Sequence, residues 1–265
     1  MLCAYSWNNP KEKSQVYPIL FVISGIPIYA SPFFLVLALI AGFLVSRYEI
    51  LRRGISLKVY YIYWVLAVPI ALFLAAINSA LFHRRFLFVI SNPDELTSTG
   101  LVSFGAVIGT LGLGYIIAKI YKLSEGQILD VISIILPLIL GVYRIGCILN
   151  GCCYGQVTDG FFGFYLPNVA GQWAKRYPTQ FMLLIFDLAL FFYLWRWRLK
   201  KPPDGKTTLV FLLSFSIFRL LLDSLRELPM INAWINILQL GSITLLLFTI
   251  YALVMIQFRK KSQKD

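Results

Sequence analysis

The sequence predicts an all-α, polytopic membrane protein of about seven transmembrane helices, with its N-terminus outside and its C-terminus in the cytoplasm. Three observations lead there. Hydrophobic residues make up 59% of the 265 residues, aromatics 16% and charged residues only 14%, with a mean hydropathy of +0.76; soluble domains do not have this composition. The apolar residues are gathered into seven runs able to span a hydrocarbon core of about 30 Å with some tilt or shortening. The basic residues behind the net charge of +12 cluster at the ends of those runs. That pattern fits membrane anchoring and argues against a nucleic-acid partner, which would need a basic soluble face.

In chain order, residues Met1 to Pro18 are polar and aromatic, with Lys11, Glu12 and Lys13. They lack the charged-then-apolar order of a signal peptide, so no cleavage is expected. The apolar runs follow at Pro27–Ser46, Val59–Phe82, Leu101–Tyr121, Gln127–Leu149, Phe181–Trp195, Thr207–Leu222 and Ile237–Phe258. His83, Arg84 and Arg85 mark the end of the second. The third carries Gly105 and Gly109 at the spacing that lets two helices approach closely. Between the fourth and fifth, residues 156–177 hold Trp173, Lys175 and Arg176 and read as a short outer segment lying among headgroups. The whole of 1–265 reads as one membrane domain.

Orientation follows from the rule that positive loops stay in the cytoplasm. Of the 24 basic residues, fifteen fall after runs one, three and five or in the C-terminal tail, among them Arg52, Arg53, Lys119, Arg198, Lys200 and Lys260. Seven fall on the other side: Lys11, Lys13, Arg84, Arg85, Lys175, Arg176 and Arg226.

The remaining two, Arg144 and Arg219, lie inside apolar runs. An arginine there costs at least about 2.5–3.5 kcal/mol on insertion scales and marks a functional site by default. Each stands a turn or two below the same outer face, so the two are expected to share one site. Arg219, Asp223 and Arg226 fall at i, i+4 and i+7, a stripe in which one carboxylate can brace both guanidiniums. Arg144 opens the stretch Arg144-x-Gly146-x-x-x-Asn150-Gly151-x-x-Tyr154-Gly155, where Asn-Gly signals a turn and the helix should stop. Paired guanidiniums near the outer leaflet suit a lipid phosphate, because the planar fork makes bidentate, charge-assisted bonds.

This stretch resembles the signature of the bacterial prolipoprotein diacylglyceryl transferases. The resemblance runs from about Leu101 to Leu253, through Asp130, the Tyr177-Pro178-Thr179-Gln180 element, and Phe218-Arg219 with Asp223 and Arg226. It implies a multi-pass protein of the bacterial plasma (inner) membrane that moves a diacylglyceryl group from phosphatidylglycerol to the cysteine thiol of a lipoprotein precursor peptide. On that reading Arg144 and Arg219 are catalytic. Asn150, Gly151, Tyr154, Asp223, Arg226, Ser103 and Gly105 bind substrate. Membrane lipid and precursor peptide are the partners, and no cofactor or metal is involved. The chain departs from the family pattern at Phe104, Cys152, Tyr177 and Phe215, where a histidine, an acid, a histidine and a tyrosine are usual.

Cys147, Cys152 and Cys153 keep other readings open. Three thiols at C-x4-C-C spacing fall short of a four-ligand zinc pattern, but a thiolate near Arg144 would suit redox or carrier chemistry. A membrane thiol oxidoreductase and a non-enzymatic lipid-binding or transport protein are therefore the alternatives. A transporter is expected to show internal repeats with matched broken helices, which the sequence does not display.

Overall fold

The computed structural model describes residues 19–82, 103–168, 171–227 and 237–262. The N-terminal stretch to Pro18 with Cys3, the His83-Arg84-Arg85 cluster and the side chain of Ser103 lie outside the described residues.

The chain is mostly helical, 72% by residue. Among the described residues its α-helices are α1 (Ala30–Arg52), α2 (Leu57–Phe82), α3 (Ser103–Ile120), α4 (Glu125–Leu149), α5 (Thr179–Trp197), α6 (Lys206–Asp223) and α7 (Ile237–Ser262). Among the described residues five of them, α1, α2, α4, α5 and α7, are long and apolar enough to cross a membrane. The apolar part of α3, Phe104–Ile120, is shorter. The α6 helix carries Lys206, Arg219 and Asp223 within its 18 residues.

The centre of the bundle is α4. It packs against α1, α3, α5 and α6, while α2 pairs with α3 and α7 with α6. From Asp130 to Pro137 every residue of α4 is buried, so the helix is enclosed all round rather than along one stripe. Its start is capped by Ser124, whose hydroxyl accepts from the Gln127 amide at 3.4 Å.

Glycines set how closely the neighbours approach. A methyl at Gly146 would meet the carbonyl of Ala30 and the Cα of Ser31, both at 3.0 Å, which brings the start of α1 against the end of α4. Gly105 rests on the Leu74 carbonyl and Gly109 on the Leu74 side chain, the α2–α3 approach expected from their spacing.

Among the described residues two antiparallel hairpins interrupt the all-helical expectation. The first, β1 (Ile19–Ile23) with β2 (Ile26–Tyr29), precedes α1 and takes up Pro27, so the first helix starts later than its apolar run. That helix also continues beyond Ser46, because the Glu49 that ended the apolar run is fully buried by arginines. Glu49 accepts from Arg52 at 2.6 Å and Arg53 at 2.9 Å, and pairs with Arg198 at 3.3 Å across the bundle. The second hairpin, β3 (Phe164–Pro167) with β4 (Trp173–Arg176), occupies the segment read as interfacial and exposes Phe161, Phe162, Phe164 and Tyr165.

The described turns between helices sort to the two ends of the bundle. Glu49 joins the end of α1 to the turn after α5, and Ser124, at the α3–α4 turn, donates to Asp204 in the α5–α6 turn at 2.8 Å. The turns after α1, α3 and α5 thus share one end. The ends of α4 and α6 and both hairpins share the other.

Candidate active site

Helix α4 stops at Leu149, and Gly151 (φ 67°) and Cys153 (φ 64°) turn the chain through left-handed conformations. Glycine suits the first of these; the second is a strained position for a residue with a Cβ. The first residues of α5 hold the turn in place. The Gln180 amide donates to the Cys152 carbonyl at 2.6 Å, and the Thr179 hydroxyl to the Cys153 carbonyl at 2.8 Å. Tyr177-Pro178-Thr179-Gln180 therefore anchors the Asn-Gly loop. Gly155 passes so close to the Tyr177 backbone that a Cβ would collide with its carbonyl. The chain then bridges to Arg226, with the Gln156 amide donating to the Leu225 carbonyl at 2.9 Å.

Arg144 is buried one turn before this loop. Its Nη1 donates to Cys153 Sγ at 3.4 Å and to Cys147 Sγ at 3.8 Å, while its Nε has no partner among the described residues. Arg219, on the last turns of α6, is 2% exposed. Its Nη2 pairs with Asp223 at 3.1 Å, and its Nε and Nη1 have no partner among the described residues. Asp223, fully buried, also accepts from Arg226 Nη1 at 3.0 Å. One carboxylate braces two guanidiniums, as the spacing implied, although Arg226 lies beyond the end of α6 and is placed by its bridge to Gly155.

A residue that the sequence reading passed over lies within electrostatic reach of both arginines. Asp187 on α5 is 2% exposed and interacts electrostatically with both Arg144 and Arg219. Its Cβ lies against Gly141, one turn before Arg144, where the missing side chain makes room. The signal was available: an acid inside the run Phe181–Trp195 satisfies the same criterion that singled out Arg144.

The departures at Phe104 and Phe215 also gain a physical account. Both rings are buried and edge-packed, with centroids 5.5 Å apart, and the Arg219 guanidinium lies 5.3 Å from the centre of the Phe104 ring. An aromatic face stabilises a cation that has little water around it, by about 2 kcal/mol when desolvated.

Tyr154 is buried beneath Arg176, whose guanidinium sits 4.8 Å from its ring centre. Burial, with nearby Glu227, pushes the Tyr154 phenol above its ordinary value, so it stays neutral. Arg176 donates to the Gly155 carbonyl at 3.2 Å and pairs with Glu227. Asn150 is buried at the helix end, and its backbone amide donates to the Gly146 carbonyl at 3.0 Å.

Gly105 faces α2 rather than this cluster. Asp130 belongs to the opposite end, about 20 Å away along α4 at a rise of 1.5 Å per residue. There it caps α6, accepting from the amides of Thr208 at 2.8 Å and Gly205 at 3.0 Å and from the Thr208 hydroxyl at 2.8 Å.

A cavity of about 100 Å³ runs between α1, α2, α3 and α4 and ends at Tyr143 and Arg144. Leu35, Leu39, Ala71, Ala106 and Leu136 are among its almost wholly apolar lining. Hydrocarbon fits such a channel, and a charged group fits only its end. The site thus combines a greasy channel, two buried guanidiniums with unused N–H groups, and a buried carboxylate within electrostatic reach of both.

Comparison with known proteins points the same way. The family model for prolipoprotein diacylglyceryl transferase matches residues 18–255. The chain is 35% identical over 136 residues to a phosphatidylglycerol–prolipoprotein diacylglyceryl transferase 2 of Clostridium perfringens, covering 49% of this chain and 52% of the relative. It is 33% identical over 129 residues to the corresponding transferase of Pasteurella multocida, covering 48% and 47%. With that of Clostridioides difficile it shares 26% over 209 residues, covering 78% and 82%. The match to the first two spans about half of each relative's length.

Proposed function

The chain belongs to the prolipoprotein diacylglyceryl transferase family, and from that premise we propose that it transfers a diacylglyceryl group from phosphatidylglycerol to the cysteine thiol of a lipoprotein precursor. The observation that carries the proposal is a pair of buried arginines, Arg144 at the end of an apolar channel and Arg219 within electrostatic reach of it, each with N–H groups left over. The glyceryl end of an acyl chain enters the channel, whose volume of about 100 Å³ leaves the rest of both chains in the bilayer, and the phosphate sits by the guanidiniums. The acceptor sulfur forms a thioether with the glyceryl carbon, the bond from that carbon to the phosphate oxygen breaks, and glycerol phosphate leaves with the negative charge. Fixed guanidiniums stabilise that developing charge, an effect worth about 2.7–4 kcal/mol per well-placed donor in other enzymes. The proton released from the thiol leaves with phosphate or solvent. A thiol with an ordinary pKa of about 8.5 needs modest help, and a positive site lowers that value further. The aromatic face at Phe104, where the family has a histidine, is consistent with electrostatic rather than basic assistance.

Asp223 holds Arg219 and Arg226 in register, Asp187 balances the two central arginines, and Asn150, Gly151 and Tyr154 shape the loop that covers the headgroup. Ser103, at the head of α3, helps to form the wall, and Gly105 supports it by letting α3 pack on the Leu74 backbone of α2. In this reading α3 and α6 also span the bilayer, making seven spans, with the N-terminus outside, the C-terminus in the cytoplasm and residues 156–177 at the outer interface of the bacterial inner membrane. The exposed aromatic side chains of that segment, Phe161 at 93% and Tyr165 at 69%, support an interfacial position. The sharing of one bundle end by the turns after α1, α3 and α5 supports the sidedness.

Incubating purified protein with phosphatidylglycerol and a precursor-derived cysteine peptide tests the proposal. Thioether-linked product and released glycerol phosphate are expected, and both are lost in Arg219→Ala. If Arg219→Ala works normally while a folded Cys147→Ser, Cys152→Ser, Cys153→Ser triple variant is dead, the chemistry belongs to the protein's own thiols and the transferase reading fails.

A further inference from the structure

The helix-ending turn does more than close α4 beyond Arg144: it gathers three sulfurs. Cys147 comes from the last turn of α4, and Cys152 and Cys153 from the loop beyond Gly151, yet their sulfur atoms all lie within 4.8 Å of one another. Their C-x4-C-C spacing does not suggest this. The convergence depends on the left-handed backbone at Gly151 and Cys153 and on the clamps from Gln180 and Thr179 to the Cys152 and Cys153 carbonyls. The Cys152 amide donates to the Cys147 carbonyl at 3.1 Å, which ties the two thiol-bearing segments together directly. A strained, over-determined turn of this kind is typical of ligand clamps.

We infer that Cys147, Cys152 and Cys153 form a site for a soft, thiophilic metal ion of the copper(I) class, held by three sulfurs against the Arg144 guanidinium. A trigonal ion with metal–sulfur bonds of about 2.3 Å needs sulfurs about 4 Å apart, so side-chain rotations of less than about 1 Å close the site. The donor set is all sulfur, with no imidazole or carboxylate among the three residues, and such sets select soft ions over hard ones. A three-thiolate set also suits an ion content with three ligands, whereas structural zinc is almost always four-coordinate.

Charge fits as well. Binding exchanges three thiol protons for one monovalent cation and leaves a site of net charge −2, beside which Arg144 Nη1 already lies 3.4 Å from Cys153 Sγ and 3.8 Å from Cys147 Sγ. Cys147 and Cys152 are buried and Cys153 is half-buried, so the ion enters at Cys153. Occupancy draws the Arg144 guanidinium onto the metal thiolate and away from a lipid phosphate. This last consequence rests on the proposed function; the site itself does not.

The test uses the full chain in detergent, carrying Cys3→Ser so that only the cluster thiols remain, under anaerobic conditions. Copper(I) is titrated against a chromophoric chelator, with no substrate present, so a failure of the transferase reading leaves the result intact. Uptake of one equivalent per chain is expected. Each of Cys147→Ser, Cys152→Ser and Cys153→Ser weakens uptake at least tenfold, and the triple variant abolishes it. In the unsubstituted cluster, copper(I) also blocks maleimide labelling of Cys153, a readout that does not depend on any serine variant folding. No uptake, uptake unchanged in the triple variant, or isolation of the cluster as a disulfide overturns the site. Added copper(I) is further expected to slow lipid transfer in the Cys3→Ser protein and to leave the triple variant's own rate, whatever its value, unaltered; full uptake without slowing overturns the link to Arg144.

Discussion

Replacing Arg219 with lysine separates the planar fork from the charge it carries. In the structure Nη2 is engaged by Asp223 at 3.1 Å, while Nε and Nη1 have no partner among the described residues and are the donors left for a phosphate. Lysine keeps the charge and can still reach Asp223, but it offers one nitrogen where arginine offers three. Losing a single donor to developing charge costs about 2.7–4 kcal/mol, a fall of about 10²–10³ in turnover. The expected cost to the fold is smaller. Asp223 retains Arg226 at 3.0 Å, so the loss is confined to the geometry of one ion pair whose charge lysine keeps and to part of the cation–aromatic contact with Phe104, worth at most about 2 kcal/mol. The assay is the rate of thioether product from phosphatidylglycerol and precursor peptide, with thermal unfolding of the same preparation recorded alongside. Turnover at the wild-type level in folded Arg219→Lys would show that the arginine merely anchors a helix end. A rate loss that only tracks unfolding would refute the argument equally.

Other outcomes follow from other parts of the molecule. Glu49→Gln leaves the buried Arg198 without its carboxylate, and breaking a buried pair in this way costs about 3–5 kcal/mol; thermal unfolding should fall accordingly, and an unchanged midpoint would mean that the arginines find water instead. Gly155→Ala drives a methyl into the Tyr177 carbonyl, an overpacking worth about 1–3 kcal/mol, and should impair transfer more than stability because the loop it distorts covers the site; normal kinetics would show that the loop yields freely. Single cysteines introduced at Trp173 and Lys200 report sidedness in intact cells: the first should react with a membrane-impermeant maleimide and the second only after lysis, and the reverse pattern would put the site on the cytoplasmic face.

What the sequence determined by itself was everything carried by local composition. A hydrophobic run of sufficient length has few alternatives to a helix in a bilayer, so the positions of the seven helices among the described residues could be read, with shifts at ends such as Pro27 and Glu49, although only five of them are long and apolar enough to span. Arg144 and Arg219 stood out because a charge in an apolar run is visible without any partner, and Asp187 could have been found in the same way. The Arg219, Asp223, Arg226 brace was legible because its spacing lies along one helix and its continuation. Tertiary structure decided whatever depends on residues distant in the chain. Only packing shows that Asp130 caps α6 instead of serving the site, that Glu49 gathers arginines from two helix ends, and that Phe104 and Phe215 form an aromatic floor for a buried cation. Only the left-handed turn at Gly151 and Cys153 brings the three sulfurs together. The physical reason is the same in each case: hydropathy is a property of a segment, whereas the partner that neutralises a buried charge is chosen by the approach of other helices.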